Sequence, residues 1–400
     1  MKVTQLLHFL FVTLLILALT SCRNGVVKVD NEMEGKLTAT FQLAEKGEKK
    51  FYLDAETAPK PPYMQLWTDS LGKRFLTFLN PYKNAIYFYN YDDTTYVKRI
   101  AYNKEGPNAI LKVSGYHIKN ADSIYIYNMP MVQVELADAQ GKVKAHIPLT
   151  GASKEPDWPN YYPQYLLSTV TSFIPIDSTL ILTGQSMLSV PAENIERFKF
   201  SAYINTATNQ VDFRHTYPKE IYGNNANWEG GLPTQVFSTL SPNKELVFSF
   251  PASHNLYLTR WDEDATQTVY GGSNVARTIH SIDYSDVKKT PDELVIENYM
   301  KEDMYGAILY DPYRNVYYRF MLKGLPDATI KTVKEEKPIV VILMDEHFHY
   351  MGETNLGTGK EWNWTNAFVT QEGLNIEYIG DIGINEDYLT LKVLSPKALN

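Results

Sequence analysis

Hydrophobic residues in this chain fall mainly in short runs, with turn-forming residues between them. Ile86-Tyr87-Phe88-Tyr89, Ser123-Ile124-Tyr125-Ile126-Tyr127 and Leu246-Val247-Phe248-Ser249-Phe250 follow the period of two that marks a β-strand. Ile339 to Met344 is apolar throughout, as expected of a strand covered on both faces. Asp138-Ala139-Gln140-Gly141-Lys142, Ser241-Pro242-Asn243-Lys244 and Glu372-Gly373 supply hairpin turns. The 29 tyrosines add to the strand signal, because aromatic side chains suit a pleated surface. Two helices are expected as insertions, Pro191 to Phe198 and Pro291 to Met300, each with proline at its start and acids in its first turn.

The strands group into six antiparallel units, near 63–104, 108–150, 163–218, 234–275, 304–353 and 361–395. A strand around Leu37 to Leu43 is left over, and in a closed ring it can complete the last unit. A nine-residue element supports the repeat. Asn80-Pro81-Tyr82-Lys83-Asn84 with its following aromatic strand recurs, 231 positions on, as Asp311-Pro312-Tyr313-Arg314-Asn315. That spacing is close to four units of roughly 63 residues each. The fold class predicted is all-β, a single six-bladed β-propeller with two short helical insertions, behind a lipoprotein signal peptide. A pair of β-sandwiches is the competing architecture, but it does not predict six similar units.

The first residues have another character. Lys2, the apolar stretch Phe9 to Leu19 and the small polar pair Thr20-Ser21 form a signal peptide, too short to span a bilayer. Leu19-Thr20-Ser21-Cys22 resembles the lipobox of bacterial lipoproteins. The resemblance implies cleavage before Cys22, a covalent lipid on its sulfur and a membrane partner through that anchor. Cys22 is the only cysteine, so no intramolecular disulfide is available. The expected organisation is a signal peptide over 1–21, a lipidated flexible tether over 22–36 and the propeller over 37–400. Arg23, in place of the aspartate that retains enteric lipoproteins in the inner membrane, points by analogy to the outer membrane. The lack of acids in Arg23-Asn24-Gly25-Val26 points to the periplasmic face of that membrane rather than the cell surface. A net charge of −8 and a pI near 5.6 exclude the basic surface that nucleic acid binding requires.

The stretch Phe78 to Ile110, with an aromatic strand ending in Tyr-Asn and a Glu105-Gly106-Pro107-Asn108 loop, resembles the first blade of TolB-like six-bladed propeller lipoproteins of Bacteroidetes. Asp311 to Phe320 and Glu372-Gly373-Leu374-Asn375-Ile376 extend the likeness, which is strongest to one domain-of-unknown-function family among them. These are turn and strand motifs. They imply fold and location and carry over no catalytic residue.

Candidate chemistry is sparse. Asp345, His347 and His349 would share a face on a continuous strand and could hold a metal, but Asp345-Glu346-His347 reads better as a polar turn that destroys that face. Ser241-Pro242-Asn243-Lys244 has the spacing of serine acyl enzymes, yet it sits between strands rather than at a helix start. His117, His146, His215, His254 and His280 are dispersed, and the paired acids Asp92-Asp93 and Glu335-Glu336 suit solvated turns. No catalytic residue, resident metal or cofactor is therefore expected beyond the lipid on Cys22. Three loops combine aromatic rings with amides and acids, a mixture suited to a flat polar ligand such as a sugar. They contribute Trp158, Tyr161 and Tyr162; Asn227, Trp228 and Glu229; and Trp362 and Trp364. The function expected is a lipid-anchored binding module of the cell envelope, with a protein, peptide or glycan ligand. The alternative is a propeller hydrolase or lyase with acids and histidines converging on the central channel.

Overall fold

The computed structural model describes residues 26–150, 161–187, 189–190, 193–381, 383 and 386–399. Within them the chain forms six four-stranded antiparallel sheets arranged as the blades of a propeller. Blade 1 runs Met64–Thr68, Arg74–Asn80, Ala85–Asn90 and Tyr96–Ala101 from the centre outwards. Blades 2 to 5 follow in the same sense, spanning 113–148, 174–214, 237–270 and 304–358. Blade 6 takes Trp362–Val369, Leu374–Tyr378 and Tyr388–Ala398 from the end of the chain and its outer strand, Phe41–Tyr52, from the beginning. That outer strand pairs along its whole length, from Phe41 opposite Ala398 to Tyr52 opposite Tyr388. The ring is thus closed by the two ends of the chain, which leaves no wide sheet edge at the seam. The closing strand begins four residues later than the Leu37 to Leu43 expected, because the residues before it are engaged elsewhere.

The strands are real, but half-buried alternation is not what their sequences encode. In Ala85–Asn90, Ser123–Asn128 and Val316–Leu322 nearly every side chain is buried, since each blade is covered on both faces by its neighbours. Tyrosine serves this geometry well. Its ring fills the space between blades while its hydroxyl finds a partner. Tyr63 donates to the Tyr116 carbonyl at 2.6 Å, Tyr116 to Thr77 Oγ1 at 2.9 Å, and Tyr89 to the Tyr52 carbonyl at 2.8 Å. Blades 4 and 5 are joined by a fully buried arginine. Arg319 donates to Ser249 Oγ at 2.9 Å and to the carbonyls of His254, Gly271 and Ser253 at 2.8–3.1 Å, and its guanidinium lies 3.9 Å over the Tyr305 ring. Burial without an acidic partner lowers its pKa to about 10.

Of the two expected helices, one forms, as Asp292–Lys301. Residues 193–197 make only a turn, in which the amides of Arg197 and Phe198 both donate to the Asn194 carbonyl; residues 191–192 lie outside the described set. The other helix among the described residues is the single turn Lys219–Tyr222, which follows Pro218. None is long and apolar enough to cross a membrane.

The described part of the expected tether, 26–36, lies against the propeller. Lys28–Val29 pairs with Ile279–His280, the Val29 carbonyl contacts His254 Nε2 at 3.1 Å, and Asn31 donates to the Ser273 and Ala276 carbonyls at 2.8 Å. Cys22 and the signal segment fall outside the described residues.

Alternating strand direction sorts the connections onto two rims. Turns between first and second strands, and between third and fourth, share one rim, here called the turn rim. Turns between second and third strands share the other rim with the blade-to-blade connectors, and this is the connector rim. The repeated element crosses between them. Asn80 begins the second-to-third turn of blade 1, whereas Asp311 begins the first-to-second turn of blade 5. The repeat is therefore one of turn chemistry and not of blade position. In both, the Asx side chain accepts the next two free amides, Tyr82 and Lys83 in one, Tyr313 and Arg314 in the other. Each closes on a left-handed asparagine, Asn84 at φ 48° and Asn315 at φ 54°.

Candidate functional site

The described parts of the first two aromatic loops lie on blade-to-blade connectors and the third runs from a connector into blade 6, so topology gathers them on the connector rim. The structure then separates them. Trp158 lies outside the described residues. Tyr161 packs its ring 4.1 Å beneath the Arg197 guanidinium, and Tyr162 meets Phe213 edge-on at 4.8 Å, both beside blade 3. Trp228 is buried, with its indole N–H donating to the Ile221 carbonyl at 2.9 Å. Asn227 is buried too, bridging the Tyr284 carbonyl and Thr290 Oγ1. Glu229 is half-buried at φ 62°, and burial raises its pKa. Trp228 and Asn227 thus fasten the connector between blades 3 and 4 instead of facing outwards.

Only Trp362 and Trp364 line a shared cavity, of about 570 Å³, at the connector-rim mouth of the ring between blades 5 and 6. They belong to the innermost strand of blade 6 rather than to a loop, at the place where its pairing with Leu374–Tyr378 shifts register after Asn363. Trp364 lies against Phe237 at 5.7 Å and Phe320 at 6.2 Å, and it has room only because blade 5 carries glycine at 306, where a Cβ would stand 2.8 Å from the indole. Tyr299 from helix Asp292–Lys301, and Lys334 and Lys337 from the loop before Pro338–Asp345, form further walls.

Beneath the tryptophans lies a polar hub that sequence reasoning did not single out. Glu377 is 1% exposed, and its Oε2 accepts from Asn363 and Asn366, each at 2.7 Å. Asn366 also donates to the Pro61 carbonyl and accepts from Thr169 Oγ1, which itself accepts from the amide of Met64 in blade 1. The turn carrying Thr169, Thr169–Thr171, lies against the innermost strands of blades 4, 5 and 6 and fills the axis of the ring. Glu377 further accepts from the Lys60 backbone, holding that residue at φ 62° on the cavity wall. Burial pushes the Glu377 carboxyl up to about 7, against the opposing pull of Asn366, Asn363 and Lys60. Lys337, equally buried, is brought down to about 7 by desolvation; its ammonium donates to the Tyr299 and Glu302 carbonyls.

The remaining motifs are structural. Asp345 to His349 is a hairpin turn in which Asp345 Oδ1 accepts the His347 and His349 amides at 2.8 Å. Ser241 to Lys244 joins Phe237–Leu240 to Glu245–Ser249, with Ser241 Oγ accepting from the Glu245 amide and Lys244 paired to Asp177. Burial brings His117, His215 and His254 down to about 4, and the latter two contact neighbouring hydroxyls and carbonyls through both ring nitrogens.

Ring closure, blade order and a rim cavity define the molecule as a six-bladed β-propeller. Residues 40–355 match the model of the domain of unknown function DUF4221, and the chain belongs to that family. A crystal structure of a DUF4221 member from Bacteroides vulgatus is similar over 90% of this chain and 99% of that one, with a TM-score of 0.72 at 20% identity. A Bacteroides fragilis protein described as exported is similar over 90% and 96% of the two chains, with a TM-score of 0.53 at 10% identity. No curated protein matches the sequence.

Proposed function

We propose that this protein is a binding module of the cell envelope, tethered by a lipid on Cys22, which takes a small, flat, polar ligand in the cavity at Trp362 and Trp364. The observation that carries the reading is the layering of that cavity. Two indoles line it, and the Asn363 amide and Thr365 hydroxyl beside them rest on the Glu377–Asn366–Thr169 hub, which ties blades 6 and 1 to the plugged axis. A first layer fixed by a buried second one is what precise recognition requires. The lipobox at Leu19 to Cys22 and the exported relative from Bacteroides fragilis support the location, with the outer membrane and its periplasmic face the more consistent assignment.

A thermal-shift screen of mono- and disaccharides and short peptides, on the full chain carrying Cys22→Ser, tests the pocket. A stabilising ligand is expected, and its effect should vanish in Trp364→Ala; a ligand equally stabilising in that variant overturns the assignment. Metabolic labelling with palmitate tests the anchor and should be lost in Cys22→Ser.

A second reading, chemistry at the same cavity, is favoured by one observation. An acid and an amine are both held at a pKa of about 7 beside it, a pattern that clusters at active sites. Turnover of a bound sugar that disappears in Glu377→Gln would establish it.

A further inference from the structure

We propose that the ligand of the Trp362–Trp364 cavity is an acidic sugar, a uronic acid, whose carboxylate is received by Lys60 and Lys334. This rests on the pocket assignment above and deepens it. Two exposed lysines, Lys60 and Lys334, line the cavity against one acid, Glu335, with the buried Lys337 beside them only partly charged near pH 7, although the chain as a whole carries a net charge of −8. A locally positive concavity on a negative protein concentrates anions where the rest of the surface repels them.

The lysines differ in what they have left to offer. Lys337 is committed, with its ammonium held by the Tyr299 and Glu302 carbonyls and placed 4.7 Å over the Tyr299 ring. Lys60 and Lys334 are exposed, and neither ammonium is in ion-pair contact with a carboxylate among the described residues. The ion pair nearby in sequence, Lys360 with Glu336, uses neither of them. Lys60 stands at a φ of 62° that a side-chain-bearing residue rarely adopts, with its backbone donating to Glu377.

The uncharged part of the ligand follows from the other walls. Indole faces take the apolar face of a pyranose ring, while the Asn363 amide and Thr365 hydroxyl are suited to its hydroxyls. A charge-assisted bond from an ammonium to the ring carboxylate completes the set.

The test compares matched sugars at equal ionic strength by calorimetry: glucuronate against glucose, and galacturonate against galactose. In the wild-type chain carrying Cys22→Ser, at least one uronate should bind about tenfold more tightly than its neutral partner. The preference should collapse in Lys60→Gln/Lys334→Gln while neutral-sugar affinity is kept. Equal affinity for acid and neutral sugars, or a preference unchanged in the double variant, overturns the acidic ligand and leaves the pocket standing. Binding of both sugars unaltered by Trp364→Ala overturns the pocket itself, and saturation by neither sugar counts against the uronic acid. Circular dichroism of each variant separates loss of binding from loss of fold.

Discussion

The two rims of this propeller are made from the same strands yet have different physics. The turn rim is built of tight connections closed locally. Asp69, Asp138, Asp311 and Asp345 each accept backbone amides from residues two to four positions ahead. The connector rim adds to its own short turns the long excursions between blades, closed by distant partners, among them Asn366 with Pro61, 305 positions apart, and Asn31 with Ala276, 245 apart. These four aspartates thus spend oxygens on local geometry, while the connector rim carries the cavity at Trp362 and Trp364. The buried acid and amine with pKa values displaced to about 7, Glu377 and Lys337, belong to the second rim.

The contrast can be broken most forcefully between blades 4 and 5. Arg319→Ala removes the donor for several buried carbonyls at once. Each orphaned group costs about 1–3 kcal/mol, so a loss above about 4 kcal/mol is expected in urea denaturation. A loss below about 1 kcal/mol would mean that water replaces the guanidinium. Trp228→Ala should cost about 3–5 kcal/mol, as for other buried tryptophans, without touching ligand affinity. If Trp228→Ala abolishes binding in a chain that remains folded, the connector between blades 3 and 4 belongs to the site after all.

Glu377 sharpens the comparison through pH. Its folded pKa is raised from 4.5 to about 7, so the protein is favoured by this group below pH 4.5 and loses that advantage as pH rises through about 7. The loss should reach on the order of a few kcal/mol in all, and Glu377→Gln should remove it between pH 4.5 and about 7. Lys337 acts in the opposite sense. Its lowered pKa favours the fold at alkaline pH, and this contribution falls away as pH drops from about 10 to about 7. Thermal melts of Lys337→Met and wild type across that range should converge at low proton concentration and separate towards pH 7.

The smallest effect tests the repeated turn. Asn80→Ala should cost about 1–2 kcal/mol, since its buried amide caps the turn and also donates to the Glu56 carbonyl and Thr57 hydroxyl. Asp311→Ala should cost more, because its buried carboxylate also accepts from Tyr318 and Arg314. Equal losses would show that the rim on which the turn sits is irrelevant.

The same division explains what the sequence could reveal. Six units, their limits and the closing strand were legible because turns and strands are local, and Asx-Pro or Ser-Pro-Asn-Lys carries its conformation within five residues. The repeat at Asn80 and Asp311 led to the correct architecture even though its two copies occupy different hairpins, since it registers turn chemistry alone. The site was half legible. Trp362 and Trp364 stood out as rings among glycines and asparagines, but so did Trp228, and only packing separates an indole that lines a cavity from one that fills a core. Glu377 was hidden because Leu374 to Tyr378 reads as one more strand. Its burial depends on Lys60 and Pro61, which the ring closure delivers from the other end of the chain. Residues 193–197 show the converse, a helical pattern that yields only a turn.

The docking of residues 26–36 would shorten the leash that acylation of Cys22 would provide. A free spacer from Cys22 to Lys36 could let the domain wander about 50 Å from an acyl anchor, whereas four peptide steps from Cys22 to Val26 span about 14 Å at most. With the chain pinned beside Ile279–His280, an acylated molecule would ride low over its bilayer and turn with restricted tilt, always offering the lipid the side of the ring between blades 4 and 5.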